Sequence, residues 1–494
     1  MDNAEGHVTV GQEVQGIFDL CGLPLDELLA VTVFLARADL SRLVRSCKGL
    51  YDAILPELVR RAGTIKFYEI QAFHWFLRIG QDSGSSRARW LQRFTYLPLD
   101  LGDTEVVGRT AIKGARFALE ILQNAPNLTS LILYDIRDFD VPDLRTVLAK
   151  LVRLKFALIE RMESGSRHDI FLGVTAPLTT VRISMAHTDD SSLCDSCLMS
   201  LASVVTLENL TLRRVRLSAT SCRFPAVRVL DLKRYTLAEG CPALPVLFPA
   251  VRELLLGRAF LEMTIPELEL LRAHDRAWQL ARGSWPALDY LGVDDVAAAY
   301  ALGLICRVDR LDVWTIEMEP ETLMALTTLL KDVRPHCFGY YDRDSMHERI
   351  PLFLEAMART RMVTHLVGML DAAKVTTALG DYMAALGSHL RDGVVTHIRI
   401  QIDWRWYPDP DPLCQKRAAE AYESDGVPAA VDAIATMVPS LRCVLVTFGD
   451  LGSKGRMVAE DGTWRDLNDA ECRAVEREER MQDGRIRCFP TWCD

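Results

Sequence analysis

The sequence predicts an α/β protein: a module of three short helices near the N-terminus, then a long, irregular solenoid of strand–helix units. Three observations lead there. A short apolar run of the form L-x-x-L-x-L, with any aliphatic residue or Phe standing for Leu, recurs about a dozen times after residue 93. Its internal alternation is that of a strand with one buried face. Helical patterns fill the gaps between runs, and a proline stands just before many of the runs at the same phase, as in Phe224-Pro225-Ala226-Val227 and Phe248-Pro249-Ala250-Val251. Proline ends a helix and sends the following residues into extended backbone, so its recurrence is repeat evidence in its own right.

The N-terminal module lies between Leu23 and Arg61. Pro24 suits the first turn of a helix, where no N–H is needed. Leu25, Leu28, Leu29, Thr32, Val33 and Ala36 then follow helical spacing. Asp39 is a candidate N-cap for a second helix from Leu40 to Leu50, with Leu40, Leu43, Val44 and Cys47 on one face. Pro56 opens a third short helix. Three short helices bury too little area to be robust alone, so such a module completes its core against something else. In order and spacing, Leu23-Pro24, Asp39-Leu40-Ser41-Arg42-Leu43, Ser46-Cys47-Lys48-Gly49-Leu50-Tyr51 and Pro56 with Leu58 resemble an F-box. The resemblance covers about forty of 494 residues.

The apolar runs are read at Phe94-x-x-Leu97-x-Leu99, Leu128-x-x-Leu131-x-Leu133, Leu151-x-x-Leu154-x-Phe156, Leu178-x-x-Val181-x-Ile183 and Leu207-x-x-Leu210-x-Leu212. They continue at Val227, Val251, Leu288 and Val308, then fainter at Val363, and again at Val395 and Leu441; the segment 333–340 is a distorted further copy. Their spacing is mostly that of solenoid repeats. Helices are expected over 109–123, 141–150, 267–281, 319–331, 351–359, 372–390, 416–423 and 428–438. The pattern resembles degenerate leucine-rich repeats of the fungal F-box type. The position two after the last strand residue is not regularly Asn or Cys, a departure that makes the copies uneven. A closed eight-stranded barrel has too few strands for these copies, and no G-x-G-x-x-G marks a doubly wound sheet.

The expected organisation is a polar tail over 1–22, the F-box-like module over 23–61, a linker helix region over 62–92, the leucine-rich-repeat-like solenoid over 93–450 and a C-terminal cap or tail over 451–494. Within the last, 471–480 reads as an exposed helix and 485–493 as a final strand or tail.

Composition narrows the function classes. Hydrophobic residues make up 49% and charged residues 25%, a globular balance. The net charge of −10 disfavours broad nucleic-acid binding. There is no apolar run of membrane-spanning length and no signal-peptide pattern, so an intracellular site, cytoplasmic and/or nuclear, is the expectation. The 13 cysteines are scattered and read as reduced thiols.

Candidate chemistry is sparse. Cys194-Asp195-Ser196-Cys197 is half a zinc site at most, with His187 and Cys222 nearest in sequence, and its flanking leucines read as an amphipathic helix. Asp189-Asp190 and Asp294-Asp295 are paired carboxylates after strands, read as loop or cap residues rather than acid and base. His336 and Cys337 are strand neighbours pointing to opposite faces. Asp403 to Pro412 brings Trp404, Arg405, Trp406 and Tyr407 together, and Tyr340-Tyr341 heads a second aromatic loop. Both are rich in the residue types that dominate protein interfaces. In a solenoid the outward strand residues, among them Arg182, Thr211, Asp231, Glu253, Tyr290, Arg310 and Asp312, line one concave surface; their mixed charge fits a protein partner.

The sequence therefore points to a non-enzymatic receptor without a cofactor. The family resemblance implies a substrate-recognition subunit of an SCF-type ubiquitin ligase. Its Leu23, Pro24, Leu28, Leu29, Leu40, Leu43, Cys47 and Leu50 would be adaptor-facing or module core, holding a Skp-type adaptor and through it a cullin. The repeats would hold an unknown protein target, with no nucleic acid and no membrane. The alternative is a leucine-rich-repeat interaction scaffold that never meets the ubiquitin system.

Overall fold

The computed structural model describes residues 24–46, 48–61, 64–79, 86–97, 105–162, 169–186, 195–217, 222–237, 244–257, 264–314, 320–342, 354, 357, 361–371, 379–403, 416, 419, 420, 422, 426–449 and 451–483. They fall into two compact units. One runs to Tyr134 and includes Lys150–Leu154; the other comprises Asp135–Ala149 and Lys155 onward.

The first unit opens with α1 (Leu25–Phe34), α2 (Arg37–Val44) and α3 (Lys48–Arg60). These close a small core of their own from Leu28, Leu40, Val44, Leu50 and Ile54, with Leu35, Leu43, Tyr51, Ala53 and Leu58 packed at its margin. Glu57 ties the end of α3 by ion pairs to Arg60 and Arg61, and Arg61 Nη1 donates to the Leu35 carbonyl at 3.4 Å. Pro56 lies inside α3 rather than at the head of a third helix. Strand β1 (Thr64–Lys66) leads into α4 (Phe67–Arg78), and a 3-10 turn (Arg87–Trp90) follows. Arg87 stacks its guanidinium on Tyr51 and Phe76, joining α3 to α4. Strand β2 (Arg93–Leu97), α5 (Glu105–Gln123) and β3 (Ser130–Leu133) complete the unit, with β1, β2 and β3 parallel neighbours.

The second unit is a repetitive parallel sheet. After α6 (Val141–Lys150) come β4 (Phe156–Met162), β5 (Thr180–Met185), α7 (Asp195–Ala202), β6 (Asn209–Arg213), β7 (Arg216–Leu217), β8 (Val229–Lys233) and β9 (Thr236–Leu237). Then follow α8 (Leu244–Leu247), β10 (Glu253–Leu256), α9 (Ile265–Arg282), β11 (Ala287–Val293), α10 (Val296–Ala301), β12 (Arg307–Val313), α11 (Pro320–Val333) and β13 (Cys337–Asp342). The unit ends with β14 (His365–Asp371), α12 (Leu379–Leu390), β15 (His397–Asp403), α13 (Gly426–Met437), β16 (Cys443–Phe448), β17 (Gly452–Val458), β18 (Trp464–Asp466) and α14 (Asp469–Asp483). Strands β4-β5-β6-β8-β10-β11-β12-β13-β14-β15-β16 pair in parallel in that order, while β7 and β9 form a small second sheet.

Register is what makes this a repeat. Leu210, Leu230, Leu254, Leu291, Leu311, Phe338, Leu366, Ile398 and Val444 occupy one row across nine strands, all buried. The next core row runs through Leu212, Leu232, Leu256, Val293, Val313, Tyr340, Gly368, Ile400 and Val446. A strand's side chains alternate between faces, so these rows form one apolar wall. The copy at Val363 is faint because its last place is Gly368. A Cβ there would stand 2.7 Å from the Tyr340 hydroxyl and 3.0 Å from Ile400, so large neighbours fill the space a side chain would take.

Two expected registers are corrected. In the first copy, Phe94 and Tyr96 are the buried pair and Leu97 is exposed, so the copy is Leu91-x-x-Phe94-x-Tyr96, three residues earlier than read from the leucines. In the third, Ala157 and Ile159 pair with Val181 and Ile183, so the copy is Leu154-x-x-Ala157-x-Ile159, three residues later. The segment 333–340 supplies β13, a regular member. Of the expected helices, 351–359 lies outside the described residues but for 354 and 357, half of 416–423 lies outside them, and so do 372–378 of the one expected over 372–390.

The end of the sheet differs from the rest. β17 and β18 turn antiparallel on β16, which the sequence did not suggest. α14 begins on an Asn468 cap that accepts from Ala470 and Glu471 N–H groups, both at 3.0 Å, while Glu471 accepts from the Asn468 N–H. Its Glu476 is buried and accepts from Thr447 of β16 at 3.0 Å and from Ser453 of β17, which seats α14 across these strands.

Candidate functional site

The strand face opposite the apolar wall changes character along the sheet. From β5 to β11 it is half-open: Thr180, Arg182, Asn209, Thr211, Asp231, Glu253 and Tyr290 are all partly exposed. From β12 to β16 it is mostly closed: Arg310, Asp312, Cys337, Val367, Met369, Arg399, Cys443, Leu445 and Thr447 are buried, while Tyr341 and Gln401 are half-buried. Those strands are covered on both faces, which is why they read as near-continuous apolar runs. Arg310 and Asp312, expected on an open surface, are therefore interior residues. They pair with each other, Arg310 Nε donating to Asp312 Oδ1 at 2.9 Å, and the Tyr290 hydroxyl donates to Asp312 Oδ2 at 3.1 Å.

At the start of β13–β15 three imidazoles stack. His336 and His365 have ring centroids 4.5 Å apart, and His365 and His397 lie parallel at 4.2 Å. Thr364 Oγ1 bonds Nδ1 of both His336 and His365 at 2.9 Å, and Thr396 Oγ1 bonds His397 Nδ1 at 2.9 Å. Burial, then the neighbouring His397 and His336, push the pKa of His365 down to about 4. An unfolded histidine titrates near 6.5. The stability from keeping His365 neutral is therefore fully present above about pH 6.5 and is lost as pH falls from there towards 4. Hydrogen-exchange protection of β13–β15 is expected to decline across that window, and His365→Gln is expected to flatten the decline. Protection independent of pH between 7 and 4 would contradict it. Beside His336 is a cavity of about 290 Å³ lined also by Arg307, Arg334 and Met362.

The sequence-predicted residues distribute as follows. Pro24 is exposed; Leu28, Leu40 and Leu50 are buried in the module's own core, and Leu43 is half-buried beside them. These leucines are therefore module core or its margin, one of the two roles expected of them. Leu23, Cys47 and the side chain of Leu29 lie outside the described residues. Among the described residues of the module, the exposed large apolar side chains are Val31 and Phe34 on α1, at 41% and 89% exposure, neither of them expected from the spacing. Tyr340 is fully buried, with its hydroxyl bonded to that of Tyr382, so it belongs to the core and not to a recognition loop. Tyr341 is half-buried. Trp404, Arg405, Trp406 and Tyr407 lie outside the described residues.

The candidates for catalysis and metal binding come apart. Asp295 is the N-cap of α10, accepting from the Ala297 and Ala298 N–H groups at 2.9 and 3.4 Å. Asp189, Asp190, His187 and Cys194 lie outside the described residues, and Cys222 is a buried free thiol. Among the described residues no three His, Cys, Asp or Glu side chains converge as a metal set, and no helix is long and apolar enough to cross a membrane.

No family model and no curated protein matches the chain. Among solved structures, an internalin from Listeria monocytogenes is similar at 11% identity and a TM-score of 0.28, over 64% of this chain and 75% of that one. The leucine-rich repeat-containing protein LegL7 from Legionella pneumophila is similar at 9% identity and 0.26, over 80% of this chain and 91% of that one. Scores this low carry no weight, and the repeat architecture rests on the strand register itself.

Proposed function

We propose that the chain is a non-catalytic interaction scaffold: a strand–helix repeat protein that holds a partner protein on the half-open strand face of β5–β11. The observation that carries this reading is the contrast along the sheet. The face is mostly closed from β12 onward, but over β5–β11, between the buried Ser184 and Val229, it presents hydroxyl, amide, acidic and aromatic groups in fixed register. Mixed polar and aromatic groups on a rigid ladder suit a protein surface better than a small molecule. Photo-crosslinking residues placed at Thr211 or Glu253 are expected to capture one and the same protein, which then binds the purified chain. The same probe at Leu270 or Leu280, exposed on α9, is expected to capture none. Capture from α9 alone would overturn the reading.

A finer reading adds a second partner through α1–α3, favoured by one observation: the module encloses its own core yet leaves Phe34 almost wholly in solvent. A large exposed apolar side chain beside Val31 is what a docking helix offers and a buried cap does not. By resemblance that partner would be a Skp-type adaptor, and through it a cullin, making the chain the substrate-recognition subunit of an SCF-type ubiquitin ligase inside the cell. Binding to a purified adaptor tests it, with the variants treated in the Discussion.

A further inference from the structure

Among the described residues, five non-glycine residues have backbone in the left-handed region, and all five are arginines: Arg161, Arg214, Arg234, Arg334 and Arg361. Two of them share a structural address. Arg213 pairs with Lys233 at the ends of β6 and β8, so Arg214 and Arg234 each stand one residue beyond that row. Arg161 lies inside β4, at the irregularity between Ile159 and Met162 after which Met162 pairs with Met185. The φ values are 54°, 57° and 50°. Glycine adopts this backbone freely, whereas a side chain there is strained. Such strain is informative when it falls on the same charged residue type in copy after copy.

The charges are also crowded. Desolvation first, then the nearby Arg213, Arg234 and Arg161, hold the Arg214 pKa below its ordinary value, with only Glu160 acting the other way. Arg214 Nε is buried and has no hydrogen-bond partner among the described residues. Among the described residues, Asp135 takes two bonds from Arg137 and lies 3.9 Å from Arg161, and Asp231 lies 3.5 Å from Lys233. The fold thus holds like charges together at strand ends, in strained backbone, on a chain of net charge −10.

We propose that the arginines at the ends of β4, β6 and β8 dock a carboxylate-rich segment of a partner protein, with Arg161, Arg213, Arg214 and Arg234 as its guanidinium clamps. The proposal rests on the scaffold reading and deepens it by giving the partner's chemistry. Guanidinium forks match carboxylates two bonds at a time, and an incoming carboxylate offsets the repulsion among these arginines. The cluster spans four neighbouring strands, about 15 Å at the usual strand spacing, which suits a short peptide better than a nucleic-acid duplex. Thr180, Asn209 and Thr211 on the adjoining strand face offer neutral hydrogen-bond groups to a peptide backbone.

The test is fluorescence anisotropy of the full chain with a labelled Glu/Asp-rich peptide, a neutral peptide and a single-stranded oligonucleotide of equal charge. Salt-sensitive binding of the acidic peptide is expected, weakened about tenfold or more by Arg214→Glu with Arg234→Glu. Arg442→Glu, at an exposed site before β16, is expected to leave binding intact. Arg214→Gly removes strain and repulsion together, so it is expected to melt no lower than the parent while binding the peptide more weakly. Equal binding by parent and double variant, tighter binding of the oligonucleotide, or no binding of the peptide by the folded chain would overturn the proposal. Strand-face crosslinks from Thr211 or Glu253 that persist in that case would show that the scaffold reading survives its loss.

Discussion

Asp312→Ala is expected to be among the most damaging single substitutions in the chain. Arg310 and Asp312 are each 2% exposed, and the pair lies on the closed face of β12. A buried pair gives little net stability over an apolar one, but removing one partner leaves a buried charge without its main counter-charge, a loss of about 3–5 kcal/mol. The Tyr290 hydroxyl loses its acceptor at the same time. The neighbouring strand is built around this carboxylate: a Cβ at Gly339 would stand 2.0 Å from Asp312 Oδ1. Gly339→Ala is therefore expected to displace the carboxylate and cost about 1–3 kcal/mol by overpacking. The two changes share one space, so they should not add. With the carboxylate already removed, the Gly339 methyl has room, and the double variant is expected to cost clearly less than the sum of the singles. Repeat arrays do not always melt as one unit, so exchange protection over β11–β13 is the measurement, with thermal melting beside it. Unchanged protection in Asp312→Ala, or strict additivity, would contradict this account.

This buried pair also marks where sequence reasoning stops. The core rows were legible because L-x-L alternation and the preceding proline recur at one phase, and a row such as Leu210–Leu230–Leu254 follows directly from them. Where a spare leucine stood three residues away, as at Leu97 and Leu151, pattern alone could not choose, and burial of Phe94–Tyr96 and Ala157–Ile159 decided it. The second face was not legible. Arg310 and Asp312 look like surface charge in the sequence, and only the covering of β12–β16 makes them interior. The antiparallel turn into β17 was missed because Gly452–Val458 carries no alternating apolar signal. For the strand-end arginines a signal was present and unused: each of the runs ending in Leu212 and Leu232 is followed by two basic residues, Arg213-Arg214 and Lys233-Arg234. A long charged residue recurring after a strand reads as ordinary surface until its backbone is seen to be left-handed.

The α1–α3 module separates core from surface within a few residues, and a pair of substitutions should expose the difference. Leu40 is fully buried in a core of five principal residues. Leu40→Ala removes a large share of that core and is expected to cost about 2–5 kcal/mol, enough to unfold so small a module. Exchange protection should vanish from 25–60, while β12–β16 keep theirs. Phe34 is 89% exposed, so Phe34→Ala is expected to change stability by no more than about 0.5 kcal/mol. Their effects on adaptor binding then read the module's role. If α1 docks a Skp-type adaptor, both variants lose binding, Leu40→Ala by unfolding and Phe34→Ala with the fold intact; Pro24→Ala, at an exposed position beside α1, is expected to weaken it as well. Binding unaffected by Phe34→Ala in a folded chain would remove α1's exposed face from any interface. Failure of the intact chain to bind the adaptor would leave α1–α3 as a helical end-piece of the first unit and the repeat face as the chain's working surface.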